Sequence, residues 1–226
     1  MKKEKLKKLS LFLFIFIFML LFYSTVYSES GLDEIYKNIV AMAKKNTPPS
    51  YTVEVENNKF DEALKELPED ILTGKGTPKV KIQFAKGVGV RIIIENIKSE
   101  YASLFSMYEE YFKFSGISKV QNPVEFKQII DSNNAKFYEE NEDFIVVQAW
   151  DPDSDIKDDN YALFSLDKKR WVIRKAVYYM DGTPFVQAEN SYKFFGKYYM
   201  PYRIELIYLS EDSSDVFLFK DYDFNQ

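Results

Sequence analysis

The 226-residue chain contains no cysteine and no histidine. Without cysteine there is no disulfide, and no lipidated N-terminal cysteine to serve as an anchor. Without histidine the usual general base, the usual activator of a serine or cysteine nucleophile and the commonest zinc ligand are all missing. Triad hydrolases and zinc hydrolases are thereby excluded in their ordinary forms. Excess positive charge is lacking too: 30 Lys and Arg stand against 35 Asp and Glu, a net charge of −5, so nucleic acid is not an expected partner. The chain has no phosphate-binding glycine loop and no metal-ligand spacing, so no cofactor, no metal and no enzymatic activity are expected.

The N-terminus is not short of charge or of apolar residues. Lys2, Lys3, Lys5, Lys7 and Lys8 precede an apolar run from Leu11 to Tyr23, which relaxes into Ser24-Thr25-Val26-Tyr27-Ser28. That is the order of a secretory signal peptide. As a helix the run would cover about 20 Å at 1.5 Å per residue, short of the roughly 30 Å hydrocarbon core. Residues 1–28 therefore read as a cleavable leader rather than an uncleaved anchor, with Val26 and Ser28 setting the cut before Glu29. Removing the leader's five lysines and Glu4 leaves 25 basic and 34 acidic residues, a net charge of −9. The expected location is periplasmic, with the extracellular space or the cell surface as the alternative. Residues 29–226 are enough for one domain with an ordinary core.

Leu32, Ile35, Ile39 and Met42 or Ala43 have helical spacing up to Pro48-Pro49, which predicts an opening amphipathic helix of about 14 residues by the periodicity rule. Tyr51, Val53 and Val55 alternate with polar residues as a half-buried strand does, and a short polar helix follows near Asp61 to Leu67. Val80, Ile82 and Phe84, then the run Val88 to Ile94, read as two paired strands. From Ile97 to Phe114 the period is helical, with Leu104, Phe105, Tyr108 and Phe112 on one broad face. A second short helix follows Pro123. Beyond Ala135 apolar runs recur between turns: Phe144 to Trp150, Tyr161 to Leu166, Trp171 to Met180, Pro184 to Tyr192, Tyr198 to Leu209 and Val216 to Phe224. Asn141-Glu142-Asp143, Asp167-Lys168-Lys169, Asp181-Gly182 and Gly196-Lys197 supply the reversals. The expected class is α+β: a curved antiparallel sheet forming a half-open β-barrel, with helices covering its concave face.

Asp151-Pro152-Asp153-Ser154-Asp155 has the first acidic positions of a calcium loop, but Ile156 and Ala162 stand where glycine and a bidentate glutamate are needed. It reads as a solvated hairpin loop. The aromatic residues are more informative. If each strand buries one alternating set, Trp150, Phe164, Trp171, Ile173, Phe185, Ile204, Leu206, Phe217 and Phe219 line the inner face. They form either a solid core or, if the sheet is too wide to fill, an apolar cleft for acyl chains. In the second case the binding cleft comprises Trp150, Phe164, Trp171, Ile173, Ile204, Leu206, Phe217 and Phe219, and Leu104, Phe105, Tyr108 and Phe112 form a lid.

The stretch Phe164-Ser165-Leu166-Asp167-Lys168-Lys169-Arg170-Trp171-Val172-Ile173-Arg174-Lys175 resembles a hairpin of the outer-membrane lipoprotein-sorting, LolA-like family. There a strand ending in Leu-Asp turns into one reading aromatic, apolar, apolar, basic. Tyr178-Tyr179-Met180-Asp181-Gly182, Tyr192, Tyr198-Tyr199-Met200-Pro201-Tyr202-Arg203-Ile204, Asp215 to Phe219 and Tyr222-Asp223-Phe224-Asn225 follow in the same order, so the resemblance covers about the last 80 residues. It implies an incomplete barrel closed by helices, carrying lipid tails across the periplasm. Its implied partners are lipid acyl chains or lipidated proteins, with envelope donor and acceptor proteins. The region from Tyr51 to Val120 departs from the carrier pattern, and no gating arginine is carried over.

Two functions thus compete: an exported carrier that shields acyl chains, and a structural or adhesive envelope module with a filled core. The leader makes its own prediction: the exported protein begins at or within a few residues of Glu29. Intact mass of the secreted chain checks it, and recovery of the full-length chain in the membrane fraction would contradict it.

Overall fold

The computed structural model describes residues 31–66, 68–74, 76–86, 89–101, 134–151 and 159–224. The expected leader lies outside them. Helix α1 spans 31–46, and its apolar spacing turns Ile35 and Ile39 inward to 4% and 7% exposure. It ends just before Pro48, since proline cannot continue the hydrogen-bond ladder. Strand β1 (Ser50–Asn57) then alternates strictly, burying Tyr51, Val53 and Val55.

Asn57 both closes β1 and opens α2 (Asn58–Lys65): its Oδ1 accepts from the Phe60 N–H at 2.9 Å. Such a cap satisfies one of the donors left orphaned at a helix start. This is why the helix expected from Asp61 begins three residues earlier. A short 3₁₀ turn (Glu69–Ile71) leads to the hairpin of β2 (Lys79–Ala85) and β3 (Gly89–Glu95), in register through Val80↔Ile94 and Ile82↔Ile92. The helix expected from Ile97 does not start there. Ile97 forms a β-bridge with Leu72, and only 99–101 take up a 3₁₀ turn. The remainder of that expected helix, and the short helix after Pro123, lie outside the described residues.

The later strands are β4 (Asn134–Glu140), β5 (Phe144–Trp150), β6 (Tyr161–Asp167), β7 (Ile173–Met180), β8 (Thr183–Phe195), β9 (Tyr198–Tyr208) and β10 (Ser213–Asp223). Asp181 and Gly182, both at positive φ, make the tight β7–β8 reversal that alternation and Asp-Gly predict. Strand β7 starts two residues later than expected. Trp171 has φ 53° and belongs to the preceding turn, where the Asp167 carboxylate accepts from the Lys169 and Arg170 N–H groups.

The ten strands among the described residues pair antiparallel in the order β3-β2-β1-β10-β9-β8-β7-β6-β5-β4. The sheet is not closed, and the helices cover its concave face, so the α+β half-open barrel is the fold observed. Its two edges, β3 and β4, are consecutive in sequence. The connection between them therefore joins one margin of the sheet to the other.

Three apolar clusters lie on the inner face. The largest gathers Tyr51, Val53, Val55, Val80, Ile82, Ile92, Met200, Ile204, Phe217 and Phe219 under Phe60 of α2. A second joins Ile35 and Ile39 of α1 to Ile145, Val147 and Leu166. Phe217 is fully buried in the first. Truncation of Phe217 to Ala should cost about 3 to 5 kcal/mol, the range for an aromatic removed from a close-packed core; urea denaturation checks it.

Candidate functional site

The inner face can be followed from strand to strand by register. Phe137 faces Val147, which faces Phe164, then Ala176, Ala188, Leu206 and Asp215. Ile204 faces Phe217, and Phe219 faces Val55. Of the expected cleft residues, Phe164, Ile204, Leu206, Phe217 and Phe219 thus share this face, and Ile173 packs against two of its clusters. Ile204, Phe217 and Phe219 are 0–3% exposed within the largest cluster, where they act as core. Trp171 packs beside α1 from its turn. Trp150 is placed elsewhere. Alternation puts it on the opposite face, with Gln148 and the Lys136 that pairs with Gln148, and the Lys136 ammonium sits 5.5 Å from its ring centre.

Between the two bulky clusters the inner face is floored by small side chains. Ala135, Ala149 and Ala162 are direct cross-strand neighbours on β4, β5 and β6. Ala176 and Ala188 pair on β7 and β8, and Ala188 pairs with Leu206. The step from β6 to β7 is diagonal, since Ala162 faces Tyr178 and Ala176 faces Phe164. These residues form one cluster. A band of five alanines across five strands is about 19 Å long at 4.8 Å per strand. At its diagonal step the other two positions are Phe164 and Tyr178, whose rings meet edge-on at 6.3 Å and close over the step between the β4–β6 and β7–β8 halves of the band. Aromatic alternation in the sequence points to Phe164 and to the core, but not to Tyr178. The floor was missed because alanine carries no strand signal, though its recurrence at the inward position of successive strands was there to be read.

Polar groups stand at one side of the band. Asn190, two residues beyond Ala188 and 4% exposed, donates from Nδ2 to the Ile173 carbonyl at 3.0 Å. Its Oδ1 is buried with no hydrogen-bond partner among the described residues. Tyr192 donates to the same carbonyl, and burial holds its hydroxyl pKa well above the usual range. Across Leu206, Tyr208 donates to the buried Asp215 carboxylate at 2.9 Å. Burial, then that hydrogen bond, raises Tyr208 from 10.0 to about 12.

A separate open cleft of about 470 Å³ lies between α2 and the ends of β1 and β2. Its lining is mixed: Glu54, Glu56 and Asp61 beside Lys65 and Lys79, with Leu64, Leu72, Pro78 and Val80 among them, and Lys79 is paired with Glu54 at 2.7 Å. Among the described residues no cluster of three or more carboxylates could hold a metal ion. Residues 152–158 of the acidic hairpin lie outside the described residues, as do Leu104, Phe105, Tyr108 and Phe112, the expected lid. No described helix is long and apolar enough to cross a membrane.

No protein-family model matches the chain, and no curated protein matches it. Solved structures do. A DUF1329 family protein from Desulfovibrio piger superposes with a TM-score of 0.51 at 12% identity, over 85% of this chain and 92% of that one. A protein domain from Vibrio parahaemolyticus, described as outer membrane lipoprotein-sorting, superposes with a TM-score of 0.50 at 12% identity, over 84% and 92%. The chain therefore has the fold of these proteins, the one that its C-terminal hairpins resemble.

The tyrosine shifts fix the response to alkali. A phenol whose pKa is raised by folding contributes its full stabilisation below the unfolded value near 10, and loses it as pH rises through the folded value near 12. Urea midpoints should therefore fall between pH 10 and 12. In Tyr208→Phe the fall should be shallower, from a lower starting stability because the buried Asp215 has lost a donor. Equal slopes for the two proteins would show that Tyr208 does not titrate with unfolding.

Proposed function

We propose that the protein is an exported carrier that binds lipid acyl chains, free or as the lipid part of a lipoprotein, in the alanine-floored band of its concave face. The single observation that supports this most directly is the placement of the five alanines. Large side chains fill the sheet on both sides of the band, so the shortest side chains lie where a chain-shaped apolar ligand would run. At roughly 0.8 kcal/mol per buried CH₂, ten methylenes laid along it would gain about 8 kcal/mol before ordering costs.

The fold likeness to a lipoprotein-sorting domain agrees with this reading. So does the placement of polar groups, because a ligand site needs a few fixed ones at one end of an apolar surface. Asn190 supplies a buried acceptor there. In this proposal Phe164, Ile173 and Leu206 line the groove, while Ile204, Phe217 and Phe219 support it from the core. The lid role of Leu104, Phe105, Tyr108 and Phe112, the periplasmic location and the exchange with envelope donor and acceptor proteins belong to the same proposal. The chemistry is transfer without covalent change, consistent with a chain that lacks histidine and cysteine.

One observation favours the competing reading, an adhesive or structural module with a filled core: Ala149, Ala162, Ala176 and Ala188 are only 4–9% exposed. The two readings separate in a fluorescent fatty acid titration of the wild type and Ala176→Phe. A groove filled by the new ring should bind the probe at least tenfold more weakly, at a stability cost of about 1 to 3 kcal/mol for overpacking. A wild type that binds no acyl probe, and carries no lipid when purified from envelopes and weighed by native mass spectrometry, would leave the filled-core module in its place.

A further inference from the structure

We propose that the β8–β9 hairpin together with the β6–β7 turn is a docking patch for an anionic membrane surface. This stands on surface chemistry alone and does not depend on the acyl-chain groove. Residues 168–202 carry seven basic and two acidic residues, a local charge of +5 in a chain whose net charge is −5. Antiparallel pairing brings the start of β7 beside the end of β8, so the cations at the two turns gather at one end of the sheet.

Four of them carry the patch and flank both faces of the β8–β9 hairpin, since the successive pairs Phe194↔Tyr199 and Phe195↔Tyr198 point to opposite sides. Arg170 lies over the rings of Phe194 and Tyr199 at 5.0 and 5.2 Å, and Arg174 over Tyr192 at 5.8 Å. Lys193 lies over Phe195 and Tyr202 at 4.8 and 5.1 Å, and Lys197 over Tyr198 at 5.1 Å. None of the four is ion-paired with a described residue. The nearby acids have other partners: Asp143 holds Lys169, Glu140 holds Lys168, and Asp167 accepts the turn N–H groups. Asp221 and Asp223 lie on β10, with β9 between them and β8.

Two of the rings beneath these cations stand in solvent, while Tyr192 under Arg174 is buried. Phe194 is 49% exposed and Tyr202 36%. Exposed Phe and Tyr beside Lys and Arg is the composition that settles at a bilayer interface, with rings at the headgroup level and cations toward anionic lipid. A second copy of this chain is a poor occupant, because an isologous contact would press like charges together.

The test is co-sedimentation of the full-length protein with phosphatidylglycerol–phosphatidylcholine vesicles and with phosphatidylcholine vesicles alone, at low and high salt. Partitioning should favour the anionic vesicles and weaken as salt screens the patch. Lys193→Gln with Lys197→Gln should lower it on the order of 25-fold, about fivefold per cation removed. Phe194→Ser should lower it as well, which a purely ionic contact would not require. All three substitutions are at exposed positions, and an unchanged melting temperature confirms that they leave the fold intact. Binding that ignores the substitutions, as insertion of the lysine-flanked N-terminal run would, overturns the proposal. So does the absence of vesicle binding, or a self-association that these substitutions dissolve.

Discussion

The architecture depends on one junction, the pairing of the first strand with the last. Strand β1 lies between β2 and β10, and without the β1–β10 ladder the ten strands would fall into a three-stranded and a seven-stranded sheet. Two asparagines hold the junction. Asn57 donates to the Val216 carbonyl at 3.2 Å, and Asn58 accepts from the Val216 N–H at 2.7 Å while donating to Ser214 at 3.0 Å. The contacts span almost 160 residues of sequence. Because loop-closure entropy is lost before such contacts reward it, this junction is expected to form late in folding. Asn57 also caps α2, so the helix covering the largest cluster is set by the same residue that ties the ends of the sheet together.

Where alternation is strict, the sequence is legible. In β1, β2, β6 and β10 every second residue is buried over most of the strand, and the expected strand boundaries fall within a few residues of those observed. The failures have local causes. Strand β4 reads Asn-Ala-Lys-Phe-Tyr-Glu-Glu and is exposed along nearly its whole length. It is a polar edge strand, and edges are commonly guarded by charge rather than by apolar alternation. Trp171 looks like the first residue of a strand but adopts a left-handed backbone in the turn before it. Trp150 has the right residue type and the wrong parity. A one-residue step moves a side chain to the other face of a sheet, and aromatic content cannot reveal which face it took.

The inner face is uneven in a way that composition hides. With 20 phenylalanines and 17 tyrosines the chain has ample means to fill a sheet, and around β1, β2, β9 and β10 it does so. Yet five of its ten alanines converge on one band across β4 to β8. Alanine is a poor strand former, and each one forgoes apolar area that a larger residue would bury. Local preference and global position disagree along this band. Such disagreement is expected at functional sites, where stability is given up for something else.

The same contrast bears on what the band can do. Among the described residues the polar groups nearest the band are the Asn190 amide, the phenols of Tyr178, Tyr192 and Tyr208, and a carboxylate already held by Tyr208. With Tyr192 and Tyr208 shifted upward, these phenols stay neutral at physiological pH and donate hydrogen bonds rather than accept protons. Neutral donors and one orphaned amide oxygen can orient a polar end beside an apolar chain, and their hydrogen bonds can be exchanged without charge transfer. Under the proposed function, exchange of those hydrogen bonds would let a ligand leave by the reverse of the path through which it entered.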